Sequence, residues 1–132
     1  MKRKQNIEIE NEQGQTMAEF AIVLPILVTL LFGIIQFGII FNNYVALTDA
    51  ARAGARKAAV SRNSSDPVGD CSNQVRSSAG DLTLSKLTVT CSSSWGPGSD
   101  VTVEADYPYD INLFGVVVKS GTLKTVMKER VE

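Results

Sequence analysis

The chain has 132 residues, thirteen of them basic and fourteen acidic, and no histidine. Its length holds one ordinary domain at most, and a net charge of -1 sets up no global field that would gather nucleic acid or an acidic polymer. Lacking histidine, the commonest general base and metal ligand, and with no glycine-rich phosphate loop or metal-ligand cluster, the chain is expected to be no enzyme and to take no cofactor, metal or small-molecule substrate.

Residues Met1 to Gln13 are polar and charged without periodicity and read as unstructured, and with Gly14 they make up a leader over 1–14. Helix is expected from Gln15. From Phe20 to Thr48 there is no charged residue, and the apolar run Phe20 to Phe41 spans 22 positions. As a helix rising about 1.5 Å per residue it is roughly 33 Å long, which matches a hydrocarbon core of about 30 Å. A buried helix of a soluble protein would need more chain to cover it on every side than remains. A cleaved secretory signal would have a shorter apolar region with a small-x-small site close behind it. Here the nearest such site, Ala51-Arg52-Ala53, lies ten residues past the run. A single membrane crossing is therefore expected, with lipid as a partner.

The basic flanks do not orient this span. Lys2, Arg3 and Lys4 precede it, while Arg52, Arg56 and Lys57 follow it. Cys71 and Cys91, the two cysteines of the chain, point to an oxidising compartment for the C-terminal part if they pair. Closing that loop stabilises by about 3 kcal/mol in the chain-entropy model, a large gain for a domain with a small core. The N-terminus is thus expected in the cytoplasm and the C-terminal domain outside it.

Helix propensity continues past the membrane, because Tyr44 to Val60 is rich in alanine, lysine and arginine. One long helix over 15–60 is expected, kinked at Pro25, where a backbone hydrogen bond is lost. Along its outer half Ala46, Ala50, Gly54 and Ala58 recur every four residues and form a ridge of small side chains that permits close helix packing. Asp49, Arg52 and Arg56 lie off that ridge. Residues 61–65 form a linker to a small domain over 66–132.

In that domain Asp66-Pro67 reads as a helix cap followed by a first-turn proline. Val68, Cys71, Val75 and Ala79 follow at helical spacing, and Gly80 stops the run. Leu82 to Cys91 alternates with a slip at Lys86, which predicts a strand with a bulge. Residues 92–100 are turn-rich. Val101, Val103, Ala105 and Tyr107 alternate into a second strand ended by Pro108, and a third is expected over Gly121 to Val131. Leu113 to Val118 is apolar and open to three readings: a loop packed on the sheet, a surface facing lipid, or a surface facing another subunit. The fold class is α+β: a long N-terminal membrane helix, then a small exported domain with one short helix and an antiparallel sheet of about three strands.

The junction of leader and membrane run is the most informative segment: Gly14-Gln15-Thr16-Met17-Ala18-Glu19-Phe20. Glycine closes the charged leader, glutamate stands fifth after it, and an aromatic residue opens the apolar run. This pattern resembles the processing site of type IV prepilins of the Flp class. The continuation, with Pro25, the FGIIQFG segment and the AARAGAR exit in order and spacing, resembles the TadE-like family of minor pseudopilins from tight-adherence pilus systems. The resemblance covers about Gln13 to Val60. It implies cleavage after Gly14 by a membrane prepilin peptidase, pairing of Glu19 with the new amine of Gln15, and association with other pilins, pseudopilins and the pilus assembly machinery. Gln15 departs from the phenylalanine usual at the mature start of many type IV pilins. The competing reading is an unprocessed, signal-anchored membrane protein with an extracytoplasmic binding domain.

Overall fold

A computed structural model describes residues 2–132, with side chains from Gly14 onward. Met1 and the side chains of Lys2, Arg3 and Lys4 lie outside the described part. The elements are α1 (Lys2–Ala59), α2 (Pro67–Ser78), β1 (Thr88–Ser92), β2 (Asp100–Leu113) and β3 (Val116–Arg130). The architecture is α+β, and the sheet is antiparallel in the order β1-β2-β3. Two compact units are present, Met1–Phe37 and Gly38–Glu132.

Helix α1 starts at Lys2 rather than at Gln15, so the leader is helical where an unstructured segment was expected. Lysine, arginine, glutamine and glutamate, which dominate that stretch, are good helix formers, and no proline or glycine interrupts them before Gly14. The helix also continues across Pro25, where the Thr29 hydroxyl donates to the Pro25 carbonyl at 2.8 Å. Within the first unit the large apolar side chains from Met17 to Phe37 are exposed, save Val28, which is half-buried.

The second unit is built around the C-terminal part of α1. Leu47, Ala50, Ala51, Ala55 and Ala58 of this helix share one core with Cys71, Val75 and Ala79, with Leu82 and Leu87, and with Val101, Val103, Ala105 and Tyr107. Alternation along β2 puts those four residues on one face. Asp66 caps α2, its carboxylate accepting from the Gly69 amide at 2.9 Å, and Pro67 occupies the first turn. Gly80, with φ +53°, ends the helix in a conformation that favours glycine.

Three expectations are corrected. Residues 82–87 form consecutive turns, closed by Lys86 N–H to Thr83 C=O and Leu87 N–H to Leu84 C=O, so β1 is only the second half of the expected strand. Leu82 and Leu87 both reach the core from these turns, so the inward placement that a bulge at Lys86 would have provided in a strand is provided by turns instead. Pro108 does not end β2. Pairing with β1 stops at Asp106, so Pro108 lies where β2 has a neighbour on one side only, a setting that tolerates proline. Finally, β3 begins at Val116 rather than Gly121, so Leu113 to Val118 is neither a packed loop nor a separate segment but the tip of the β2–β3 hairpin.

The chain terminus fastens this unit. The Glu132 amide donates to the Ala59 carbonyl at 3.1 Å, while Val131 exchanges backbone hydrogen bonds with the 98–99 turn. Val131 itself is buried.

Candidate functional site at the membrane helix

The site predicted from sequence lies on α1 from Gly14 to Phe20. Gly14 is open, since a Cβ added there would meet no heavy atom within 4 Å. The Gln15 side-chain amide donates to the Glu19 carboxylate at 3.1 Å. The reach follows from helix geometry: side chains tilt toward the N-terminus, so a residue covers the turn four positions before it. Glu19 therefore presents its carboxylate to the turn that begins at Gln15. Phe20 and Met17 are exposed beside it, and the apolar run follows at once.

Farther along α1 the ridge of small residues is covered by the chain itself. Ala50 and Ala58 are fully buried, and Ala46 is partly buried against the same core. At Gly54 α2 packs directly against α1: a Cβ there would overlap Val75 Cγ2 and stand 3.3 Å from the Cys71 carbonyl oxygen. The ridge thus packs within the domain's own core, with α2 against it at Gly54. A second buried row, Leu47, Ala51 and Ala55, was not singled out from the sequence, although its four-residue spacing is the same. Asp49, Arg52 and Arg56 are exposed, and Arg52 contacts Asp49 at 3.4 Å.

Cys71 on α2 and Cys91 on β1 form a disulfide with Cα atoms 6.5 Å apart. It fastens α2 to the sheet. Among the described residues no three of His, Cys, Asp and Glu converge as a metal site. Sequence reasoning left the hairpin tip undecided, and the structure exposes it: Phe114, Val116, Val117 and Val118 all face outward. The signal was the uncharged stretch from Ile111 to Val118.

Compared with known families, residues 14–56 match the model described as TadE-like protein. The match runs from Gly14 to Arg56, about a third of the chain. It contains the glycine–glutamate junction, the apolar run and most of the small-residue ridge. No curated protein and no solved structure matches the chain.

Proposed function

We propose that this chain, TadE-like through its membrane helix, is a minor pseudopilin of a tight-adherence (Flp) pilus or related secretion system, processed after Gly14 by a prepilin peptidase. The observation that carries this reading is the coincidence of two boundaries. The family match begins at Gly14, the residue after which the charged leader would be cut. One helix among the described residues is long and apolar enough to cross a membrane, and none of its most apolar window is buried. That fits a single-pass anchor in a pilus-associated membrane protein.

In this reading the protein is a structural component rather than an enzyme. The N-terminus is cytoplasmic and the domain lies outside, where the Cys71–Cys91 disulfide is at home. Gly14 serves the peptidase twice. It has no side chain to obstruct an extended backbone, and it weakens the helix by about 1 kcal/mol relative to alanine, which eases local unwinding at the cut. Cleavage removes the leader's charges and leaves an amine on Gln15. Glu19, costly beside hydrocarbon when ionised and unpaired, already reaches the Gln15 turn, so the new amine falls within range of its carboxylate in the same or a neighbouring subunit. The partners are the peptidase, other pilins and pseudopilins, and the assembly machinery.

N-terminal sequencing of the membrane-bound protein, produced together with a prepilin peptidase, tests the proposal. A mature chain starting at Gln15, abolished by Gly14→Ala, is expected. A chain that keeps its leader, or is cut elsewhere, refutes processing and favours the signal-anchored reading.

A further inference from the structure

We propose that the face of α1 turned away from the core, Gly38 to Arg56, docks a second copy of this chain displaced along the helix by about four residues, roughly 6 Å, so that Asp49 of the displaced copy stands between Arg52 and Arg56 of the other. The proposal rests on the reading of α1 as a membrane anchor, because a shared membrane is what holds two copies parallel.

Spacing and burial define the face. Gly38, Asn42, Val45, Asp49, Arg52 and Arg56 recur at alternating intervals of four and three residues, which keeps them on one side of the helix and is the seam pattern of left-handed helix pairs. All six are exposed, and all belong to the second unit. At 3.6 residues per turn, Leu47 lies about 160° round the axis from Val45, and Gly54 about 180°. Both of these are buried in the domain, so the domain covers one side of α1 and leaves the opposite side open. At Gly38 a Cβ would meet no heavy atom within 4 Å, so a neighbouring backbone has room there.

Charge on this seam selects the partner and its register. Arg52 contacts Asp49 of its own helix at 3.4 Å, with both side chains more than half exposed, a pairing worth little in water. Among the described residues Arg56 has no ion-pair partner. Two copies in register would set Asp49 against Asp49 and arginine against arginine, and like charges across a seam repel. Displacing one copy toward the C-terminal end of the helix by about four residues brings its Asp49 level with residue 53, flanked by Arg52 and Arg56 of the other copy. The face is thus complementary to itself only when staggered. A second spacing agrees. Cleavage after Gly14 would leave an amine on Gln15, four residues before Glu19. The same displacement, in the same direction, brings the Gln15 amine of the displaced copy level with Glu19 of the other. One shift along a continuous helix therefore serves the acids at both of its ends.

The test uses two differently tagged full-length copies in liposomes, Gly38→Cys in one and Asn42→Cys in the other, joined by a short bismaleimide. Cys71 and Cys91 are closed as a disulfide, so only the introduced thiols react. In the staggered pair these two positions are level, and the 38–42 link should exceed the 38–38 and 42–42 links. In that pair the Gly38→Cys copy is the displaced one. Asp49→Arg in this copy should therefore lower the 38–42 link about two- to fivefold, the scale of an exposed ion pair. Arg52→Asp with Arg56→Asp in the other copy should restore it. Asp49→Arg placed instead in the Asn42→Cys copy should leave the link unchanged, since that acid is not used. All these positions are exposed, so unfolding midpoints should not move. Dominant 38–38 and 42–42 links, an Asp49 effect independent of which copy carries it, or no recovery in the reversed pair each overturn the staggered contact. Chains that float with the liposomes but do not link overturn the second copy as occupant and leave the anchor standing, whereas chains that do not float overturn both. A chain that keeps its leader yet links as expected overturns processing after Gly14 alone.

Discussion

Alanine at Gly54 tests the contact on which α2 is seated. The new Cβ would overlap Val75 Cγ2 and press on the Cys71 carbonyl oxygen. Neither neighbour gives way easily. Val75 is fully buried and β-branched, so its χ1 is held in one rotamer within a helix, and Cys71 is tied to β1 by the disulfide. Overpacking of this kind costs about 1–3 kcal/mol, and the better helix propensity of alanine returns about 1 kcal/mol. The net expectation is a loss of about 1 kcal/mol, seen as a fall in Tm of about 4–8 °C for a domain of this size. Val75→Ala alone removes two buried methyl groups, about 1.5 kcal/mol of transfer energy plus a cavity cost. In that background the obstruction is gone, the Gly54→Ala methyl enters the vacated space, and the same substitution should stabilise. Urea unfolding of the full chain in detergent, followed through Trp95, which packs partly buried against the core, measures all four corners of the cycle. An effect of Gly54→Ala with the same sign in both backgrounds refutes the contact as described.

Other expectations follow from single contacts. Breaking the Cys71–Cys91 disulfide by Cys91→Ser should cost about 3 kcal/mol, and reducing agent should lower the midpoint of the native chain but not of the variant. Asp66→Ala removes the cap on the Gly69 amide and should cost about 1 kcal/mol, whereas Asp66→Ser should recover most of it; equal loss in both would show that the cap does not act through this hydrogen bond. Val131→Asp places a charge in a buried position and should cost about 3 kcal/mol, with a red shift of Trp95 emission; an unchanged midpoint would refute the role of the chain end in closing the domain.

How much of this was legible depended on whether the deciding force was local. The α2 boundaries followed from Asp66, Pro67 and Gly80, whose effects are confined to one turn, and the inward face of β2 followed from strict alternation of Val101, Val103, Ala105 and Tyr107. The errors arose where partners decide. Leu82 and Leu87 gave an alternation that resembled a strand, but both are drawn to the core from turns, and no local signal separates the cases. Pro108 is a strand breaker only where two neighbours require its N–H, and the length of β1, which sets that, is not written at Pro108. Similarly, Ala46, Ala50, Gly54 and Ala58 announced a packing ridge without naming what packs there. Gly14, Gln15 and Glu19 were singled out by order and spacing along the sequence, whereas the helical leader before them was not anticipated.

Burial of the ridge in the domain's own core bears on the proposed filament role of the helix. Leu47, Ala50, Ala51, Ala55 and Ala58 are core residues of the second unit, so this half of α1 has no free face of small residues to offer a neighbour, and the domain cannot detach from it without unfolding. In the proposed pilus reading, apolar contacts between subunits fall instead on Phe20 to Phe41, where most of the large apolar side chains are exposed. That run holds sixteen leucine, isoleucine, phenylalanine and valine residues, whose preference for lipid sums to on the order of 5–10 kcal/mol on an insertion scale. On that reading, contacts with other helices, together with a partner for Glu19, have to replace that amount before the bilayer releases the helix. On the same reading, the step that decides between storage in lipid and entry into a filament is the exchange of acyl chains for neighbouring helices along Phe20 to Phe41.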